Sequence, residues 1–207
     1  MPTKLFFDLN EDKQKRIIGV GISEFAAYGY TNSSTNRIVK SSGISKGSLF
    51  KYFLNKEDLY FFILDTVTTD LAADLQKKTG DLSTELFQRV IGYSALEFSW
   101  YIQNPEKAKL VIAAFTKSDA KMYRKTMERY DMKGLDIYDS LVKDIDLSHF
   151  RWDKQRTIDI LKWFLKGFNE DFLDRVQIGE DSLAQMQNEY VKSLTESMEI
   201  LKTGLLK

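Results

Sequence analysis

The stretch TNSSTNRIVKSSGISKGSLFKYFLNKEDL, Thr31 to Leu59, sets out three helix starts in under thirty residues. Ser33 is placed to cap a brief helix through about Ser41, with Ile38 and Val39 facing inward, and Gly43 closes it where a left-handed residue is needed. Ser45 opens a second short helix whose Leu49 and Phe53, four residues apart, share its buried side. Asn55 caps a third and longer one, with Glu57 and Asp58 in its first turn and Leu59, Ile63, Val67, Leu71 and Leu75 down one face. Two helices joined by a short glycine-containing turn, the second only two turns long, form the pattern of a helix-turn-helix, whose second helix lies in the DNA major groove.

The second helix suits that task. Leu49 and Phe53 anchor it, while Lys46, Gly47, Ser48 and Lys51 lie near its outward face and amino end. A glycine inside a helix costs roughly 1 kcal/mol against alanine, which makes sense where the backbone must come close to another surface. The charge distribution points the same way. The whole chain is neutral, with 30 basic and 30 acidic residues, yet residues 1–56 hold nine Lys/Arg against four Asp/Glu, a net +5, and leave the remainder at −5. A basic end of this kind suits a polyanionic partner.

Outward from this stretch the chain reads as all-helical. Only Pro2 and Pro105 interrupt it, and no strand-like alternation persists. Asn10 caps a preceding helix, with Ile18, Ile22, Phe25 and Ala26 at helical spacing and Gly29 as its stop. Beyond Gly80 the pattern predicts helices over Leu82–Gln103, Pro105–Lys117, Asp119–Asp144, Asp153–Val176 and Ser182 to about Lys202. Asn104 is the expected cap before Pro105.

Several function classes drop out. The chain has no cysteine, which removes disulfides, thiolate catalysis and cysteine zinc sites, and its one histidine, His149, falls in a loop. No catalytic constellation, phosphate-cradling glycine loop or metal cluster is present, and no cofactor is expected. Without a signal-like segment or an apolar run near 18 residues, the chain reads as soluble, cytoplasmic and free of the membrane.

The segment EFAAYGYTNSSTNRIVKSSGISKGSLFKYFLNKEDLY resembles the amino-terminal domain of the TetR family of transcriptional regulators. The resemblance covers about residues 10 to 60 and matches without a gap from Gly29 to Lys56. It implies an all-α fold: a helix-turn-helix DNA-binding domain over 1–56, then a larger helical effector-binding and dimerisation bundle over 57–207. It further implies that Ser34, Thr35, Tyr52 and Lys56 grip phosphates of a double-stranded operator, and that Asn36, Lys46 and Ser48 reach base edges. Phe50 departs from the family, which often has tyrosine there, and gives up a hydroxyl. Arg37 and Lys40 read as general electrostatic contributors or solvated surface, and Lys51 is ambiguous between contact and surface.

The same resemblance implies a homodimer built from the last two helices. Here Leu161, Phe164, Leu165, Phe168 and Phe172 trace one stripe, broadened by Ile160, Trp163 and Gly167, while Leu183, Met186, Tyr190, Leu194, Met198 and Leu201 trace another. Among the aromatics of the middle helices, Tyr138 included, Trp100, Tyr101, Phe115 and Tyr123, together with Trp163, are the candidates to line a cavity for a small, largely hydrophobic effector. The expectation is a ligand-responsive regulator, usually a repressor. The rivals are a helical small-molecule binder or sensor that does not meet DNA, and an enzyme on a helical bundle.

Overall fold

The computed structural model describes residues 1–116, 120–132, 141–142, 144–175 and 183–205, and every regular element among them is helical. The helices are α1 (Lys4–Phe7), α2 (Glu11–Asn32), α3 (Thr35–Ser42), α4 (Lys46–Tyr52), α5 (Lys56–Lys78), α6 (Leu86–Gln103), α7 (Pro105–Phe115), α8 (Ala120–Met132), α9 (Lys154–Arg175) and α10 (Leu183–Leu205), with a 3-10 turn at Thr79–Asp81. The expected positions Lys117, Asp119, Tyr138, Val176 and Ser182 lie outside the described residues. By packing, the chain divides into one unit of Met1–Ala72 with Asn104–Met127 and another of Ala73–Gln103 with Glu128–Lys207. This division follows contacts and differs from the expected split by role at residue 56.

In the first unit, side-chain caps set the helix starts. Asn10 accepts from the Lys13 N–H at 2.9 Å, Ser45 from Ser48 at 3.0 Å, and Asn55 from Asp58 at 2.8 Å. The cap of α3 is Ser34 and not Ser33. Gly29, at φ +64° and ψ −178°, is non-helical and stops the first helical stretch of α2 as expected, and a short second stretch follows it to Asn32. The start of α3 therefore moves on by one residue, and the Ser33 hydroxyl donates to the Tyr30 carbonyl at 2.7 Å. At the far end of α3, Gly43 takes the left-handed conformation, φ +65°. Its N–H and that of Ile44 reach back to the carbonyls of Lys40 and Val39. These bonds fix the turn between α3 and α4.

The buried face of α2 runs through Ile17, Gly21, Ile22, Glu24 and Phe25. Ile18 and Ala26, expected inside, are only half-buried. The stripe is turned toward Gly21 because α5 approaches there so closely that a Cβ on Gly21 would meet Ile63 Cδ1 at 2.1 Å. The face expected on α5 is buried throughout, from Leu59 to Leu75. Helix α1 was not expected. Its Phe6 is fully buried among Tyr52, Phe53 and Phe62, at centroid distances of 6.2, 5.0 and 5.2 Å. Thr3 donates its N–H to the Tyr52 carbonyl at 2.8 Å and its hydroxyl to that of Lys51 at 2.7 Å, closing the carboxyl end of α4.

Helix α7 and the part of α8 up to Met127 belong to this first unit. Ser23 on α2 donates to Glu106 at 2.8 Å, Lys107 pairs with Asp70 at 2.8 Å, and Lys125 pairs with Glu57 at 2.5 Å. Pro105 opens α7 as expected, but Asn104 before it makes no side-chain capping bond.

In the second unit, α6 packs along α10, with Phe98 and Tyr190 4.5 Å apart and Gln187 donating to the Ala95 carbonyl at 3.0 Å. Helix α6 begins at Leu86, later than Leu82, because Ser83 accepts from the Glu85 N–H and holds a turn there. On α10, Met186, Tyr190, Leu194 and Met198 are buried as expected; on α9, Leu161, Leu165 and Phe172 are buried, while Phe164 and Phe168 are half-buried and Trp163 is exposed.

Gly21→Val is expected to lose about 1–3 kcal/mol of stability in urea unfolding, because the fully buried Ile63 has nowhere to retreat. A variant as stable as the parent would show that α2 and α5 do not approach this closely.

Candidate nucleic-acid interface

Helices α3 and α4 present two sets of side chains. Inward, Ile38, Leu49 and Phe53 are essentially fully buried. Outward, Asn36, Lys40, Lys46, Gly47, Phe50 and Lys51 are exposed, and Ser34, Thr35 and Ser48 are half-buried at the helix starts. Ser34 and Ser45 hold those starts with their own oxygens, and the Ser48 hydroxyl lies 2.9 Å from that of Ser45. Among the described residues, Lys46 and Lys51 have no acidic partner, so their charge is available to an incoming anion. Gly47 is exposed, and a Cβ built on it would meet only the Ser45 hydroxyl, at an ordinary 3.8 Å. Among the described residues, no contact requires glycine there.

Two positions assigned to phosphate contact are already engaged. Tyr52 is buried to 9% exposure against Phe6. The Lys56 ammonium donates to the carbonyls of Ser33 at 2.8 Å and Thr31 at 3.3 Å, and lies 4.7 Å from the Tyr30 ring centre. It thus fastens the joint between α2 and α3.

Arg37 lies at the surface, its side chain 46% exposed, but it is not free. Its guanidinium grips the buried Glu24 carboxylate at 2.6, 2.9 and 3.0 Å, donates to the Asn32 carbonyl at 2.9 Å and lies 4.0 Å over Tyr28. Glu24 also accepts the Ser34 N–H at 2.6 Å. Burial by itself would push the Glu24 carboxyl up. The hydrogen bonds from Arg37 and Ser34 and the charges of Arg37 and Lys56 outweigh it and hold the group below the usual carboxylate range. Arg37 is raised in turn by its bond to Glu24. The sequence carries a signal for this pair: Glu24 falls three residues after Gly21 and seven after Ile17, on the apolar stripe of α2, where an acid needs a partner.

The five residues expected to line an effector cavity fall in both units. Trp100 and Tyr101 are buried side by side in the second unit, their rings 5.9 Å apart, and the Tyr101 hydroxyl donates to Glu97 at 2.6 Å. Burial raises the Glu97 carboxyl, partly offset by that bond. Burial and then the Glu97 charge push Tyr101 well above the ordinary phenol value. Trp163 stands 65% exposed on α9, and Phe115 and Tyr123 are half-buried on α7 and α8 of the first unit. A cleft of about 470 Å³ opens within the first unit, lined by Phe25, Tyr28, Tyr30, Tyr60, Leu110 and Met122 among others, and includes none of the five. Among the described residues there is no cluster of metal-ligating side chains, and no helix is long and apolar enough to cross a membrane.

Comparison with known proteins accounts for both ends of the chain. The family profile described as bacterial regulatory proteins, tetR family, matches residues 17–61, and that described as the tetracyclin repressor-like C-terminal domain matches residues 83–206. The chain is 26% identical over 157 residues to the HTH-type transcriptional repressor Rv1474c of Mycobacterium tuberculosis, covering 76% of this chain and 78% of that one. A shorter match to the HTH-type transcriptional regulator YhgD of Bacillus subtilis, 26% identical over 70 residues, covers 34% of this chain and 35% of that one. A crystal structure of a TetR family transcriptional regulator from Chloroflexus aurantiacus shares the fold with a TM-score of 0.64 at 22% identity, over 100% of this chain and 99% of that chain. The regulator FadR of Bacillus subtilis, solved in complex with stearoyl-CoA, does so with a TM-score of 0.60 at 16% identity, over 87% and 96%.

Because the Glu24 carboxyl is lowered on folding, the stability it contributes is full above the ordinary carboxylate range and disappears as pH falls through the lowered value. Glu24→Gln is expected to lose about 1–3 kcal/mol at pH 7. The gap to the parent should close as the pH falls through and below the ordinary carboxylate range. Thermal melts of both proteins from pH 7 to pH 3 test this; a gap that does not change with pH would show that the carboxylate charge is not what holds the joint.

Proposed function

This chain belongs to the TetR family of bacterial transcriptional regulators, non-enzymatic proteins with a helix-turn-helix DNA-binding domain, and from that premise we propose that it is a ligand-responsive repressor acting as a dimer on a near-palindromic operator. The observation that carries the reading is the outward face of α4. Among the described residues it presents two lysines without acidic partners and an exposed glycine that no internal contact explains, on a helix anchored by Leu49 and Phe53.

In this reading residues 1–56 form the DNA-binding domain and residues 57–207 serve effector binding and dimerisation. Lys46, with Asn36 and Ser48, chooses the sequence, because ammonium and amide groups match the guanine and adenine edges of the major groove. Ser34, Thr35, Lys51, Tyr52 and Lys56 set register on the phosphates. For Tyr52 that contact is limited to the exposed fringe of a buried ring, and for Lys56 it accompanies the bonds to Thr31 and Ser33. Two such heads, about 34–36 Å apart, enter successive major grooves.

Dimerisation by α9 and α10 is supported by the large apolar side chains they leave in water, Trp163 at 65% and Ile200 at 75% exposure. The exposure of Trp163 suits that face better than the wall of a cavity. A small, largely hydrophobic effector is supported by the buried Trp100 and Tyr101 beside Glu97. The cleft in the first unit, whose lining includes Tyr28 to Asn32 at the α2–α3 joint, is also of a size that suits such a molecule. FadR binding stearoyl-CoA on the same fold is an instance of such use. The effector would lower operator affinity by as much as it prefers the conformation with the wrong head spacing.

Selection of bound fragments from random duplexes is expected to recover paired inverted half-sites. Lys46→Ala should change which half-sites are recovered, whereas Lys56→Ala should weaken all of them and reduce the salt slope by about one. Recovery of no preferred sequence by the parent would favour a sensor that does not meet DNA.

Gly47→Ala separates folding from binding. It should stabilise the free protein by roughly 0.5–1 kcal/mol, since the site is helical and open, yet weaken operator binding. Unimpaired binding in a mobility shift would refute close backbone approach.

A further inference from the structure

We infer that Phe50 is a specificity-determining residue that reads the C5-methyl group of thymine in the operator, an inference that rests on the repressor reading above. Phe50 is 42% exposed on α4, four residues after Lys46 and three after Gly47, so its ring shares their helix face, and the exposed Lys51 adjoins it. The buried side of the helix is taken by Leu49 and Tyr52, and Phe53, the residue that ends it, is buried just beyond.

The ring is partly open to solvent, and no ring contact among the described residues involves it, although Phe6, Phe53 and Phe62 form a continuous aromatic cluster behind the same helix. An exposed phenylalanine alone would call for no explanation. This one lies at the centre of the docking face, between two ammonium groups that draw a polyanion in and beside a glycine that lets the backbone come close.

The chemistry of the ring then selects its partner. A phenyl group has no donor or acceptor, so it can satisfy neither a phosphate oxygen nor the polar edges of guanine, adenine or cytosine. In the major groove the apolar group offered by a base edge is the thymine methyl. A tyrosine at position 50 could spend its hydroxyl on the backbone; phenylalanine converts the position from phosphate grip to base readout.

The test uses the operator recovered by selection, with each thymine replaced in turn by deoxyuridine, which removes the methyl and leaves base pairing unchanged. Affinities are read by fluorescence anisotropy at one fixed salt concentration. At one thymine position in each half-site, loss of the methyl should weaken the parent protein about fourfold, and about fifteenfold when both half-sites are changed together. Phe50→Ala, checked for intact helicity by circular dichroism, should bind the unmodified operator more weakly and be indifferent to deoxyuridine at that same position.

A parent protein indifferent to every deoxyuridine, as it would be if the ring lay on deoxyribose, overturns the assignment. So does a Phe50→Ala variant that keeps the full penalty. Failure to select any duplex would bring down the repressor reading and this inference together, whereas operator binding without methyl sensitivity removes only the role of Phe50.

Discussion

One buried carboxylate organises the amino-terminal unit. Glu24 sits on the apolar stripe of α2 and binds the Ser34 N–H and the Arg37 guanidinium, and Arg37 in turn holds the Asn32 carbonyl. The kink at Gly29 leaves the last turn of α2 pointing away from its axis, with carbonyls that α2 itself does not satisfy. Arg37 takes one of them and Lys56 takes two more, from the starts of α3 and α5 respectively. Three helix ends therefore meet at a single charge-assisted network, and the orientation of α3 and α4 follows from it. Removing Arg37 would leave the buried Glu24 carboxylate without its main partner, which is more costly than never having buried it.

Features determined within a few residues were legible in the chain. Asn10, Ser45 and Asn55 cap their helices, Gly43 takes the left-handed turn, Pro105 opens α7, and Leu49 and Phe53 turn inward, because each of these is decided by local backbone geometry or by a helical repeat. The Ser33 assignment is off by one residue because a short helical stretch runs on from Gly29 to Asn32, which the stop at Gly29 does not reveal. The start of α6 slipped likewise, through a serine turn that propensity does not register.

Charged side chains were the least legible part of the interface. Arg37 and Lys56 look like surface cations in the sequence, and their partners lie 13 and 23 to 25 residues away in the chain, beyond the reach of any periodic pattern. Phe6 escaped notice because a single turn of helix has too few residues to show a repeat, although it closes the core behind α4. The effector side was harder still. Aromatic content marked the middle helices without telling which rings pack on each other and which face open space, and the cleft in the first unit is lined by residues of α2, α5, α7 and α8 that no short motif gathers.

The division of labour on α4 has an evolutionary consequence. The residues that hold this helix in place, Leu49, Phe53 and the Ser45 cap, are different from those it displays, Lys46, Gly47, Phe50 and Lys51. Substitutions among the displayed set leave the core untouched, so duplicated copies of such a gene can drift toward new targets without passing through unfolded intermediates. Retargeting by design can exploit the same freedom, treating four positions as an exchangeable cartridge in a fixed holder.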